Sequence, residues 1–237
     1  MFRAKLFLKA RWEHLILASY KVDPALLLEY LPQGLELDTI DENAFVSLVA
    51  FNFADTAVKG IKVPFHINFP EINLRFYVKD KQRRGVVFIR EFVPRFFISL
   101  FANVLFNENY RSVPMKSKLE INRADIKCSH EIKLNGNLYY VSLESENKMS
   151  IPPQDSTGHF FKEHEWGFGR TRKGKTLVYK VEHPFWEVYP IVNFEHNFDF
   201  GRIYGDKWKS LNNEAPYNIT FAKGSQIKVY SAQTLSP

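Results

Sequence analysis

The sequence predicts an α+β domain, mainly antiparallel β, whose sheet is curled or closed to protect its edges. Three observations predict it. Alternating or β-branched runs recur along the whole chain, while helical periodicity is confined to a few stretches. No internal repeat and no Ser/Gly-rich linker divides the 237 residues, so 1–237 reads as a single domain. The composition, 45% hydrophobic and 16% aromatic with 24% charged, supplies a core able to bury roughly 70–75% of the unfolded surface, which excludes a disordered chain.

Taken in order, Trp12–Val22 is rich in aliphatic and β-branched residues and reads as a strand. Asp23-Pro24 supplies an N-cap and a first-turn proline, predicting a helix over Ala25–Leu31 that Pro32-Gln33-Gly34 stops. Phe45–Phe53 is a buried-strand candidate, with Ser47 its polar exception. Ile72–Val78 and Val86–Val93 form two strands joined by a hairpin at Lys79–Gly85. Pro94 opens a second helix, since Phe96, Phe97, Leu100, Phe101, Val104 and Leu105 make one apolar stripe, ended by Asn107-Glu108-Asn109. Leu119–Ile126, Ser129–Leu134 and Leu138–Glu144 read as strands, the last two linked by the strong hairpin turn Asn135-Gly136. Thr157–His164 fits a short helix; Leu177–Val181, Asn218–Phe221 and Ile227–Tyr230 are late strands.

Charge and address signals are weak. Lys plus Arg exceed Asp plus Glu by 32 to 26, a net +6, and the basic clusters at Lys79–Arg84 and Arg170–Lys175 sit beside glycines as hairpin tips. No nucleic-acid-binding signature accompanies them, so no nucleic-acid partner is expected. Cys128 is alone, which rules out an intrachain disulfide and fits a reducing compartment. Cations at positions 3, 5 and 9 interrupt the N-terminus, and Phe96–Phe106 falls short of the ~20 residues that span a bilayer. A soluble, cytoplasmic protein without a membrane partner is expected; a homo-oligomer is compatible.

The hairpin carries the most information. On its first strand Glu71, Asn73, Arg75 and Tyr77 alternate with Ile72, Leu74, Phe76 and Val78. Pairing odd with even positions would set Arg75 near Arg90, like charges opposite each other. Pairing odd with odd sets Arg75 beside Ile89 or Glu91 and matches apolar with apolar, so this register is predicted. One face then carries Glu71, Asn73, Arg75, Tyr77 and Glu91, while Arg90 points the other way. That face meets solvent, as antiparallel sheets commonly allow, or lines an enclosed hollow suited to a small anionic or carbonyl compound.

Several stretches resemble the uncharacterised YqjF-like family, a domain of unknown function in the acetoacetate decarboxylase-like superfamily. They are Val22-Asp23-Pro24 through Leu31-Pro32-Gln33-Gly34-Leu35-Glu36-Leu37-Asp38, Phe45-Val46-Ser47-Leu48-Val49, Glu71–Val78, Gly85–Glu91, Asn107-Glu108-Asn109-Tyr110 and the segment Phe161–Gly169. Their order and spacing cover most of the chain. The resemblance implies a cone-shaped, partly closed β-barrel with a few peripheral helices and a central cavity. The decarboxylases follow an Arg-Glu pair with a proline and two lysines, the first of which forms a Schiff base. Here Arg90-Glu91 leads to Pro94-Arg95-Phe96, and a guanidinium cannot form the imine. Schiff-base decarboxylation is therefore not expected, unless Lys116 or Lys118 reaches the cavity.

Other constellations carry less. His159 and His164 are five residues apart, off one helical face, so no metal site is expected. No nucleophile elbow and no phosphate loop is present, so neither hydrolase chemistry nor a nucleotide cofactor is expected. Cys128 reads as structural. The segment Phe194–Phe200 reads as packing. The expected function is binding of a small anionic or carbonyl ligand by Asn73, Arg75, Tyr77, Arg90, Arg95, Glu108 and Tyr110. The alternatives are general acid–base catalysis on a carbonyl compound through Glu91 or His164, and a scaffold whose interior is filled.

Overall fold

Strand β1 (Leu6–Val22) lies between β3 (Ala44–Val58) and β13 (Asn218–Tyr230), and the architecture grows outward from this trio. A computed structural model describes residues 4–64, 66–94 and 110–235. From β3 the sheet continues through β4 (Phe69–Lys79), β5 (Arg84–Val93), β10 (Trp166–Arg170) and β11 (Thr176–Glu182) back to β13. These seven strands close into a ring, antiparallel except where β5 meets β10. The short strands β2 (Glu36–Leu37), β6 (Tyr110–Ser112) and β14 (Gln233–Thr234) extend β4, β5 and β11. A separate four-stranded sheet holds β7 (Met115–Ile121), β8 (Asp125–Leu134), β9 (Asn137–Glu146) and β12 (Ile191–His196).

Period-two alternation decides which side chains face inward. Ile16, Ala18 and Tyr20 of β1, Val46, Leu48 and Ala50 of β3, and Ile72, Leu74 and Phe76 of β4 point out of the ring. There they pack against Ile126, Ile132, Val141 and Leu143 of the second sheet, and against Phe200, Ile203 and Trp208. The last three come from α2 (Phe200–Tyr204) and the 3-10 segment Asp206–Asn213. The main core therefore lies outside the ring, and the inner face is a second, separate environment. Leu15, Leu17, Val49, Phe51, Phe53 and Phe69 form its apolar part.

One end of the interior is plugged. Ser156 caps α1 (Thr157–Lys162) by accepting the His159 N–H at 3.2 Å, and Phe161 of that helix packs inside the ring with Phe45, Tyr77 and Val86.

The structure differs from the sequence expectations at several elements. Ala25–Leu31 is a 3-10 turn (Pro24–Leu26), capped by Asp23, followed by hydrogen-bonded turns. A stretch this short gains little from helix propagation, and Leu26, Leu27, Tyr30 and Leu31 pack against the outer core instead. The expected strand Leu119–Ile126 is broken where the Asn122 N–H donates to the Asp125 carbonyl at 2.8 Å, dividing it between β7 and β8. Asn218–Phe221 and Ile227–Tyr230 are one strand, β13, because Gly224 at φ +79° continues it past Trp12. A Cβ at Gly224 would run into the Trp12 carbonyl oxygen. The expected helix after Pro94, with Phe96–Leu105, lies outside the described residues. Asn135-Gly136, with both residues at positive φ, joins β8 and β9 as the turn signal predicts.

Candidate functional site

The face of β4 that carries Glu71, Asn73, Arg75 and Tyr77 looks into the ring. Glu71 is 3% exposed, Asn73 2%, Arg75 8% and Tyr77 1%, and Glu91 of β5 is 2% exposed, so none of them faces bulk water. The predicted register holds where Asn73 sits opposite Glu91. It then shifts between Leu74 and Arg75, and Arg75 faces Phe88 rather than Ile89 or Glu91. The extra residue of this bulge sends Ile89 into the outer core while keeping both Phe88 and Glu91 on the inner face.

Inside the ring is a cavity of about 320 Å³. Toward its mouth the walls are apolar and aromatic, with Trp12, Phe51, Phe53 and Phe69 on β1, β3 and β4, and the exposed Ile61 and Val63 on the connection between β3 and β4. Trp186, edge-on to Trp12 with ring centroids 6.0 Å apart, continues this aromatic lining together with Trp166 and Tyr179. Deeper along β4, Glu71, Asn73 and Arg75 follow one another on the inner face, at the roughly 6.6–6.8 Å spacing of alternate strand residues. Glu91, Tyr110, Lys162 and His164 join them on the cavity wall.

The polar groups are tied to one another. Asn73 Nδ2 donates to Glu71 Oε1 at 2.9 Å, and the Tyr110 hydroxyl donates to Glu71 Oε2 at 3.3 Å. Burial drives the Glu71 carboxyl up to about 7, against the opposing pull of these hydrogen bonds and of Arg75. Burial and the two neighbouring carboxyls, Glu71 and Glu91, push the Tyr110 phenol well above its ordinary range. Arg75 Nη2 donates to the Phe161 carbonyl at 3.0 Å, which fixes the guanidinium beneath the plug. His164 packs at a tilt against Tyr77 with ring centroids 5.0 Å apart, and its proton affinity falls well below normal through burial and the fields of Arg75 and Arg84. Both causes favour the neutral imidazole. Among the described residues, Arg75 Nε, Asn73 Oδ1 and His164 Nδ1 are buried with no hydrogen-bond partner.

The other candidates fall elsewhere. Arg90 leaves the inner face and its Nη1 donates to the Ile203 carbonyl of α2 at 2.7 Å, so it is no part of the cavity. Tyr77 packs beneath the plug, its hydroxyl hydrogen-bonded to Ser47, which in turn lies 2.6 Å from the Ser19 hydroxyl. Arg95 and Glu108 lie outside the described residues. Lys116 and Lys118 are exposed on β7, away from the cavity. The Cys128 thiol is buried and pushed up to about 12, as a structural cysteine would be. His159 turns away to meet Phe185. No three His, Cys, Asp or Glu side chains gather as metal ligands among the described residues.

Two parts of the site were not singled out from the sequence. Glu71 belongs to the inward-facing row, and only its burial beside Tyr110 and Glu91 distinguishes it. Lys162 is the cavity-wall lysine among the described residues, with its side chain buried and paired with Glu163. Glu163 Oε1 also accepts the Trp186 N–H at 3.0 Å. No local sequence signal marks Lys162, since a neighbouring Lys-Glu pair is commonly solvent-exposed.

Comparison with known proteins agrees with this geometry at the level of fold. The enduracididine biosynthesis enzyme MppR complexed with pyruvate superposes with a TM-score of 0.70 at 12% identity, over 100% of this chain and 92% of that one. Acetoacetate decarboxylase from Legionella pneumophila superposes with a TM-score of 0.62 at 11% identity, over 100% and 90%. The fold is acetoacetate decarboxylase-like. The uncharacterized protein YqjF of Bacillus subtilis (strain 168) is 30% identical over 112 residues, 47% of this chain, and the match spans about half the length of that relative (46%). Across residues 9–226, which include the ring strands apart from the first residues of β1 and the last of β13, and every described residue of the cavity's polar cluster, the sequence matches the model of DUF2071, and the chain belongs to this family of uncharacterized conserved proteins.

Proposed function

We propose that this protein binds a small molecule with an apolar body and a carbonyl or anionic head, held inside the ring. The observation that carries this reading is a group of unpartnered atoms on the polar part of the cavity wall, Arg75 Nε as donor, Asn73 Oδ1 as acceptor and His164 Nδ1, to which Trp12 Nε1 and Thr56 Oγ1 add two more on the rest of the wall. Each buried polar atom left without a partner costs roughly 1–3 kcal/mol, so a wall that keeps several of them is suited to a ligand that satisfies them. A head group offering both an acceptor and a donor fits that set, and the aromatic walls suit its body. A cavity of about 320 Å³ argues against an interior filled by its own side chains. On this reading the partner is a small molecule rather than nucleic acid or a membrane surface.

Schiff-base chemistry gains no support from Lys162, whose ammonium is ion-paired to Glu163. The enduracididine biosynthesis enzyme of similar fold is described as complexed with pyruvate, so by analogy of fold alone small carbonyl acids are sensible first compounds. A thermal-shift screen of oxo acids, aryl carboxylates and amides tests the reading. Compounds that raise Tm are expected, with affinity falling at least about tenfold in Arg75→Met, which removes the guanidinium donor but keeps the length of the chain. A screen without hits, or hits that stabilise Arg75→Met equally, would refute it.

A further inference from the structure

Among the described strands, the second sheet ends on β7, which pairs with β8 and has no neighbour on its other side. The two edges of this sheet are unlike. Strand β12 carries a register shift between Ile191 and Asn193, and a bulge of this kind protects an edge against further pairing. Strand β7 matches β8 residue for residue from Met115 to Ile121, with no bulge and no proline inside it. An unbroken edge of seven residues is a template for another strand.

Backbone and side chains of β7 are both arranged for pairing. The Lys133 N–H donates to the Pro114 carbonyl at 2.9 Å, and the Asn122 N–H to the Asp125 carbonyl at 2.8 Å. The alternation of an antiparallel ladder therefore turns the N–H and C=O groups of Lys116, Lys118 and Glu120 toward β8. Those of Met115, Ser117, Leu119 and Ile121 point outward. Leu119 and Ile121 lie opposite Cys128 and Ile126, which are buried in the core, yet they are themselves 36% and 54% exposed. The strand overhangs the body beneath it and leaves apolar side chains uncovered.

We propose that β7 is the interface for a second copy of this chain, paired antiparallel about a two-fold axis through Leu119, which joins the two four-stranded sheets into one of eight strands. Charge selects this occupant and this register. Lys116, Lys118 and Glu120 alternate with the apolar positions and share the other face of the strand. An axis through Lys118 or Glu120 sets that residue against its own copy, and one through Ser117 sets Lys116 against Lys118, so like charges meet. An axis through Leu119 sets Lys118 against the partner's Glu120, twice by symmetry. It also lays Leu119 on its copy and Ile121 beside the partner's Ser117, and makes outward-pointing backbone groups meet outward-pointing ones. No residue of β7 lines the cavity, so the contact is independent of ligand binding.

A contact through one strand edge is small, so the dimer is reversible. Sedimentation equilibrium of the full chain over roughly 1–300 μM is expected to show monomer and dimer exchanging, with a dissociation constant in the micromolar range. The Lys118 and Glu120 side chains are 75% and 48% exposed, so reversing their charge leaves the fold intact. Lys118→Glu or Glu120→Lys alone should weaken the dimer about tenfold, because symmetry counts each change twice, and the two together should restore it. Cross-linking reads the register. Leu119→Cys places two thiols on Cα atoms about 5.5 Å apart, within disulfide range, and should give a covalent dimer under mild oxidation. Ser117→Cys, roughly 13 Å from its copy, should not. A chain that stays monomeric throughout the concentration range, or a dimer indifferent to both single charge reversals, would overturn the proposal. Cross-linking through Ser117→Cys in preference to Leu119→Cys would overturn it as well.

Discussion

Glu71 has its carboxyl at about 7 in the folded chain, above the usual carboxylate range of the unfolded one. The folded state therefore holds this proton more tightly. The group's contribution to stability is fully present at acid pH and is lost as pH rises through about 7. Glu71→Gln removes the charge and keeps the shape. The variant is expected to gain on the natural chain as pH rises, by on the order of 3 kcal/mol between about pH 4.5 and pH 8. Urea unfolding at the two ends of that range measures it, and an equal stability gap at both would contradict the burial argument. At this scale the sequence was partly legible. Asn73 and Arg75 are marked by strict alternation with large apolar neighbours, Glu91 by the register of the hairpin, and Tyr110 by its place in a family-like segment. Lys162 and Trp166 lie in the family-like segment Phe161–Gly169 and Trp186 in a loop, but nothing in their local pattern says that they reach the cavity, because ring closure brings them there.

Among the elements, the hairpin of β4 and β5 was readable from its turn and its alternation, but its bulge was not. Nothing local in Phe88-Ile89-Arg90-Glu91 announces that two positions will share one partner. The bulge matters, because without it Phe88 and Glu91 would face opposite sides. Strand β10 was missed for a related reason: Trp166-Gly-Phe-Gly-Arg170 alternates aromatic residues with glycines, and glycine weakens a strand signal. The first of its glycines is explained by what crosses it. A Cβ on Gly167 would run into the ring of Tyr179, its partner on β11. Gly167→Ala is expected to push that ring into the cavity, costing about 1–3 kcal/mol in urea unfolding and weakening ligand binding. A variant with unchanged stability and affinity would show that the contact yields freely.

For the molecule as a whole, the decisive feature is that both faces of the ring sheet are buried, the outer against a second sheet and short helices, the inner around the cavity. An antiparallel sheet with one polar face commonly wets that face. Here ring closure removes it from water, and that is what turns an ordinary alternation of Glu, Asn, Arg and Tyr into a site. The sequence left solvent and hollow open as alternatives. The pairing that closes the ring joins β5 to β10 across more than seventy residues, and no short-range signal encodes it. The fold class was legible because alternation and turn residues are local; the enclosure was legible only by resemblance. A crystal structure of the protein grown with benzoate tests the enclosed polar site most directly. The account predicts the carboxyl group against Arg75 Nε and Asn73 Oδ1, with the phenyl ring toward Trp12 and Phe51. Benzoate bound only outside the ring, or an inner face occupied by the protein's own side chains, would contradict it.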